Sequence, residues 1–317
     1  MKHNEKIAND ASNVSIETTL QPSLSQVLAQ TVKTGIIKSN LIPMWAGLAL
    51  ALYKTQSGLL DYAWAILLAT LGSACVIGAA GAFNNVYDRD IDAIMPRTKE
   101  RPTVTGKMTV KNTMALGIIL LIIGLVALFF ASPLAALLGA LGVFLYVFPY
   151  TMWSKRYTIY NTEIGSLSGA VPPLIGWAVV SSDLTHPAIL GLFGVMVIWQ
   201  MPHFYAIAIR KHADYEAARI PMLPVAKGLK RTYYQTNFYL IILILLSFLF
   251  GSLSVGIMLV ALILSIAWLV MSIYGYHKSQ DQVKWATKMF VFSLMHMTIL
   301  FSTIIIYCVV GVVFKLY

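Results

Sequence analysis

Residues 63–92 read AWAILLATLGSACVIGAAGAFNNVYDRDID. The first 24 of them carry no charge, and a helix of that length rises about 36 Å, enough to cross a hydrocarbon layer of about 30 Å. The last five hold three aspartates and an arginine, so the segment leaves the apolar phase abruptly and ends in chemistry. In a bilayer, backbone polar groups must be paired within the segment, and a helix is the way a single chain segment achieves this. The reading is an α-helix that spans a membrane.

The rest of the chain agrees. Of 317 residues, 58% are hydrophobic and 11% charged, with a mean hydropathy of +0.74, whereas soluble domains carry about 25% charged residues. Water-soluble, disordered and secreted disulfide-scaffold classes are excluded. Windows of about 20 apolar residues fall at 39–56, 63–86, 112–131, 134–153, 162–181, 188–209, 233–251, 254–274 and 289–311. The fold class is therefore all-α: a polytopic bundle of about nine transmembrane helices, in which Pro172-Pro173 would break the helix at 162–181. Cys75 and Cys308 both lie inside apolar runs and read as small buried hydrophobes.

The net charge of +10 suggests a nucleic-acid or other polyanion binder until the cations are located. Numbering the connections alternately, 21 of 23 lysines and arginines fall on one side, and Lys54 and Lys315 alone fall on the other. The positive-inside rule then puts the N-terminus in the cytoplasm and the C-terminus outside. The charge is a topology signal, the partner it implies is the lipid bilayer, and no nucleic-acid partner is expected. Residues 1–32 form a polar cytoplasmic tail, read as disordered, with Glu5, Asp10 and Glu17, no apolar core and no arginine. On that composition neither a signal peptide nor a mitochondrial leader is expected, and a bacterial plasma membrane is the expected location. Residues 33–317 read as a single transmembrane domain with two long cytoplasmic connections, about 87–111 and 210–232.

Those two connections mix carboxylates with cations. On a helix, Asn84, Asp88 and Asp92 are spaced i, i+4, i+8 and share a face. Like charges at that spacing repel unless a cation joins them, and an oxygen-only set suits Mg²⁺. The alternative is a solvated acidic helix end facing Arg89 and Arg97. Asp90 is turned about 200° from Asp88 and reads as an ion-pair partner. Arg97, Lys99 and Arg101 could hold phosphate oxygens or attract anionic lipid. The second connection brings Asp214 one turn from Arg210, with Glu216 on another face. Acids from two connections on one membrane side allow a shared cavity.

The run Asn84–Gly106, NNVYDRDIDAIMPRTKERPTVTG, resembles the first aspartate-rich motif of the UbiA-type intramembrane prenyltransferases, and within them the branch that farnesylates protohaem IX. Tyr150-Thr151 with Lys155-Arg156, Gly169–Trp177 and Trp199–Phe204 continuing to Leu223-Pro224 extend the likeness over about 33–310. The resemblance implies a nine-helix bundle with its active site facing the cytoplasm. The implied reaction joins farnesyl diphosphate to the 2-vinyl group of haem B, giving haem O and diphosphate. It implies Mg²⁺ on Asn84, Asp88, Asp92 and Asp214, with Asp88, Asp92, Asp214 and Lys155 catalytic. Asn84, Arg97, Arg101, Lys155, Arg156 and Lys211 would hold diphosphate, and His203 and Trp177 would contact haem. His203 is either an axial ligand or a hydrogen bond between helices. A downstream haem-modifying enzyme or oxidase-assembly partner is implied by resemblance alone.

The chain departs from the wider family in three places. Arg210 precedes Asp214 where a second aspartate is usual, and Lys-Pro-Arg is missing from the first span. Tyr150 and Lys155 stand five apart rather than four, which on an α-helix puts them on different faces. Two competing readings are a sister enzyme that prenylates an aromatic quinone precursor and a multi-pass transporter. The latter would be expected to carry polar groups near the midplane, where these spans have almost none.

Overall fold

The computed structural model describes residues 22–316. Among them the chain is helical, with no strands. Eight helices are long and apolar enough to span a membrane: α2 (Thr34–Lys54), α3 (Ala63–Tyr87), α6 (Val110–Ala131), α7 (Pro133–Tyr157), α10 (Pro187–Arg210), α12 (Leu223–Ser252), α13 (Val255–Lys278) and α14 (Gln282–Phe314). α1 (Leu24–Thr31) precedes them, and between them lie α4 (Arg89–Ile94), α5 (Pro102–Thr105), α8 (Asn161–Gly169), α9 (Val171–Ala178) and α11 (His212–Ala217).

The expected ninth span, 162–181, is two short helices, α8 and α9, meeting at Ala170. Pro172 and Pro173 have no N–H to donate, so the helix cannot run through and restarts with them in its first turn. Two other expectations are corrected. The tail expected to be disordered over 1–32 is helical over Leu24–Thr31, begun by a capping box between Ser23 and Gln26; residues 1–21 lie outside the described residues. The long connections are also more helical than their polarity suggests. α12 starts at Leu223, ten residues before its apolar run, and is kinked at Gly228 (φ 76°).

Apolar side chains such as Ile118, Ile122, Phe129 and Phe130 on α6 face outward, as they can only where the surrounding medium is lipid. With lipid outside, helices gain by close approach rather than by hiding hydrocarbon. Gly176 on α9 is the tightest case: a Cβ there would stand 1.9 Å from the Met44 backbone oxygen of α2. A Gly176→Ala protein should lose about 3 kcal/mol or more, since backbone cannot yield as a side chain does. Thermal unfolding in detergent checks this, and an unchanged midpoint would contradict the contact.

A second fastening joins α8, the C-terminal part of α10 and the middle of α12. Glu163 Oε1 accepts from Tyr205 Oη (2.5 Å), Gln235 Nε2 (2.7 Å) and Tyr239 Oη (3.0 Å). It ties these helices together on the side of α10 turned away from the cavity described next.

Candidate active site

α3 ends at Tyr87 and α4 begins at Arg89, yet the hydrogen bonds Asp88 N to Asn84 O (2.9 Å) and Asp92 N to Asp88 O (2.8 Å) carry the i→i−4 pattern across the joint. The shared face of Asn84, Asp88 and Asp92 survives. All three are buried, at 3%, 0% and 1% exposure. Asn84 Nδ2 donates to Asp88 Oδ2 (2.7 Å) and to Thr151 Oγ1 (3.0 Å). Lys155 pairs with Asp88, and Arg101 with Asp92. The acids are neutralised by cations of the connections, which answers the repulsion expected from their spacing.

Asn84, Asp92, Arg101 and Lys155 form one end of a cavity of about 440 Å³, with Asp88 buried behind them and absent from its wall. Its charged lining residues are Lys33, Arg97, Arg101 and Lys155 against a single carboxylate, Asp92. Farther in, the wall is Val76, Ile77, Val143, Ile175, Met196 and Met297, with Tyr146, Tyr150, Trp199 and His203. One end suits a multiply charged anion, and the depth suits hydrocarbon and a flat aromatic.

Tyr150 and Lys155 both line this cavity, against the expectation from a spacing of five. The reason is local: Tyr146–Ser154 is a π-helix, and Lys155 N bonds Tyr150 O. An i→i+5 turn closes one residue later than an α-turn, so residues five apart come into line. A crowded contact goes with it, because a Cβ on Gly165 would meet the Tyr150 ring at 2.6 Å.

His203 lines the cavity from α10, stacked on Trp199 (centroids 4.5 Å) and Phe290 (5.1 Å). Ser293 Oγ donates its only proton to Phe290 O (2.5 Å), so towards His203 Nδ1 (2.7 Å) it can only accept. In the neutral ring Nδ1 therefore carries the hydrogen, and Nε2 carries the lone pair. The two readings of His203 are compatible: one nitrogen joins helices and the other is left for a ligand.

Other expected residues fall elsewhere. Trp177 is buried at the far end of α9, donating to Asp183 O (2.9 Å) and packed on His186 (5.7 Å). It pins the loop before α10 and does not line the cavity, because it stands about 200° round α9 from Ile175, which does. Arg156 is engaged by Asp90 through two bonds of 2.7 Å and lies over the Tyr87 ring at 4.7 Å. It stands 3.7 Å from Asp88 Oδ1 and is absent from the cavity wall. The same pair holds the Asp90 carboxyl down at about 2. Lys211 is exposed at the joint of α10 and α11, pointing to water. Asp214 is not among the lining residues, although its neighbour Tyr215 is, with burial pushing the Tyr215 hydroxyl up.

Lys33 and Tyr146 line the cavity and Thr151 accepts from Asn84 Nδ2, roles that no reading of the sequence assigned them. Lys33 donates to Asn84 Oδ1. Enclosure, with Arg101 and Lys155 nearby, draws its ammonium below the usual lysine range, against the pull of Asp88 and Asp92. Its only signal in the sequence is a cation just before a span, which reads as topology.

Among the described residues, no three His, Cys, Asp or Glu side chains converge to hold a metal by themselves. Mg²⁺ does not require that, since one or two carboxylates plus substrate phosphate and water suffice. Asp88 Oδ1, Asp92 Oδ1 and Asp214 Oδ2 are each buried without a hydrogen-bond donor. A buried acceptor left so is costly, and a hard cation is the partner such oxygens fit.

An intramembrane enzyme that handles a charged headgroup and an apolar tail is the class this fold and cavity define. The chain belongs to the UbiA prenyltransferase family, whose sequence profile matches residues 40–294. It is 75% identical over 295 residues to protoheme IX farnesyltransferase 2 of Lysinibacillus sphaericus, covering 93% of each chain. It is 65% identical over 297 residues to protoheme IX farnesyltransferase 1 of Bacillus cytotoxicus, covering 94% of this chain and 97% of that one. The fold also matches a UbiA homolog from Archaeoglobus fulgidus bound to DMAPP and Mg²⁺, at a TM-score of 0.65 and 15% identity over 88% of this chain and 98% of that one.

Proposed function

We propose that the chain transfers the farnesyl group of farnesyl diphosphate to the 2-vinyl group of haem B, releasing diphosphate and forming haem O. The observation that carries this is a cavity with four cations at one end and apolar walls leading to His203. Relatives at 65–75% identity that are named for this reaction support the choice of acceptor.

Arg97, Arg101 and Lys155 hold the diphosphate oxygens, the arginines through paired N–H groups and the lysine as a compact charge. Asn84, Asp88 and Asp92 supply oxygen donors for Mg²⁺, and Asp214 is the fourth donor of the proposal. Bound Mg²⁺ adds Lewis-acid stabilisation of the charge that builds on the leaving group. Breaking the allylic C–O bond leaves a farnesyl cation, which the apolar wall shields from water until the vinyl π electrons form the new C–C bond. Water then adds to the cation on the porphyrin side chain and loses a proton, giving the hydroxyethylfarnesyl group. His203 Nε2 is the proposed contact to haem iron.

The charged end of the cavity is assigned to the cytoplasm because 21 of 23 cations belong to that side of the bundle. This puts the N-terminus inside and the C-terminus outside a bacterial plasma membrane. Transfer of the product to a haem-modifying enzyme or oxidase-assembly partner completes the proposal.

Purified protein incubated with haem B, farnesyl diphosphate and Mg²⁺ should yield a heavier, more apolar haem. The yield should vanish on chelation. Turnover of an aromatic quinone precursor instead of haem would overturn the acceptor assignment.

A further inference from the structure

We propose that Lys33 is a further diphosphate-binding residue and that Asn85 is the positioning residue that delivers it. This rests on the prenyl-diphosphate reading above and deepens it.

Asn84 and Asn85 are adjacent on α3, so their side chains leave the helix about 100° apart. Asn84 faces the cavity, whereas Asn85, 0% exposed, donates from Nδ2 to Thr31 O (2.8 Å). Thr31 is the last residue of α1, is itself fully buried, and bonds back to Val27 O (2.7 Å). Asn85 thus fastens the end of α1 one residue along from the site.

Two residues after Thr31 the chain must enter α2, and Lys33 makes the turn with φ 56° and ψ 57°. This is the left-handed region that residues with a Cβ rarely occupy, and such strain persists where the surroundings enforce it. The enforcement is visible on α3, where a Cβ at Gly81 would stand 3.0 Å from Val32 O. The link is pressed against α3 at Gly81 and tied to it at Asn85.

The turn sends Lys33 into the cavity, where it donates to Asn84 Oδ1 and lines the wall with Arg97, Arg101 and Lys155. An ammonium has three donor hydrogens. One is directed at Asn84, and two remain for phosphate oxygens. Lys33 approaches from α1 and α2, while Arg97, Arg101 and Lys155 come from the connection after α3 and from α7, so a diphosphate bound here is held from more than one side.

The test uses the full-length protein in detergent, with inorganic diphosphate plus Mg²⁺ as the probe and steady-state turnover alongside. Losing a hydrogen bond to a charged group costs a factor of about 10–100. Lys33→Met should therefore weaken diphosphate binding and raise KM for farnesyl diphosphate by about that factor, with KM for haem within about twofold. Lys33→Arg should recover most of the loss. Asn85→Ala should shift the same two quantities less, and should add nothing on the Lys33→Met background, because it acts through Lys33. Wild-type diphosphate affinity in Lys33→Met overturns the Lys33 assignment alone. An Asn85→Ala effect that persists on that background overturns the positioning role. Wild-type protein that ignores diphosphate overturns the underlying reading as well.

Discussion

An Asp88→Asn protein should assemble in the membrane and transfer farnesyl at about a thousandth of the wild-type rate or less. Asp88 is fully buried and meets three groups, Lys155, Asn84 and Arg156. Asparagine keeps the shape and one acceptor oxygen, so Lys155 retains a partner. What disappears is the negative charge and the Oδ1 atom that has no hydrogen-bond donor. If that oxygen serves a divalent ion, the loss falls on ionisation of the C–O bond while both substrates still bind. Asp88→Ala is a poorer test. It leaves Lys155 facing a void, and breaking a buried ion pair in that way costs about 3–5 kcal/mol. Haem products separated by chromatography give the rate, and a monodisperse elution profile establishes assembly. Asp88→Asn activity within tenfold of wild type would remove the carboxylate from the mechanism.

The parts of the site that could be read from sequence are those set by helical repeat within one segment. Asn84, Asp88 and Asp92 were recoverable because the i→i−4 pattern persists through the joint after Tyr87. Asp90 fell off that face and found Arg156, as its angle required. The spans themselves followed from unbroken apolar runs, and the break at Ala170 from Pro172 and Pro173.

The remaining features depended on information that spacing does not contain. Trp177 and Arg156 belong to the quoted segments, but the far face of α9 and an ion pair with Asp90 keep them off the cavity wall. Lys33 sits ahead of an apolar run like any topology-setting cation, and only its left-handed backbone turns it inward. Asp214 depends on the path of a connection between two long helices, which no periodicity fixes. Glu163 is a lone carboxylate within the apolar run 162–181, and its partners Tyr205, Gln235 and Tyr239 come from 42 to 76 residues away.

The π-helix makes the second large prediction, and it has opposite signs for one residue removed and one added. Were 146–154 an α-helix, Lys155 would point about 140° away from Tyr150. With i→i+5 bonding, the extra residue is absorbed within the turn and both side chains meet the same cavity. Deleting Trp153, which is 56% exposed, reduces the separation to four, the spacing at which an α-turn brings residues into line. The helix should relax to α geometry and hold Lys155 near Asp88, so farnesyl transfer should stay within about tenfold of wild type. A single deletion in a regular helix would instead rotate everything beyond it by about 100°. Inserting one alanine after Trp153 has no such remedy. Lys155 would leave Asp88, stranding a buried carboxylate and removing the proposed diphosphate contact together, and activity should fall by about 10²–10³. The two variants should be compared with Lys155→Met in the same haem assay. An inactive deletion beside an active insertion would mean that the π-turn does not set the register of Lys155.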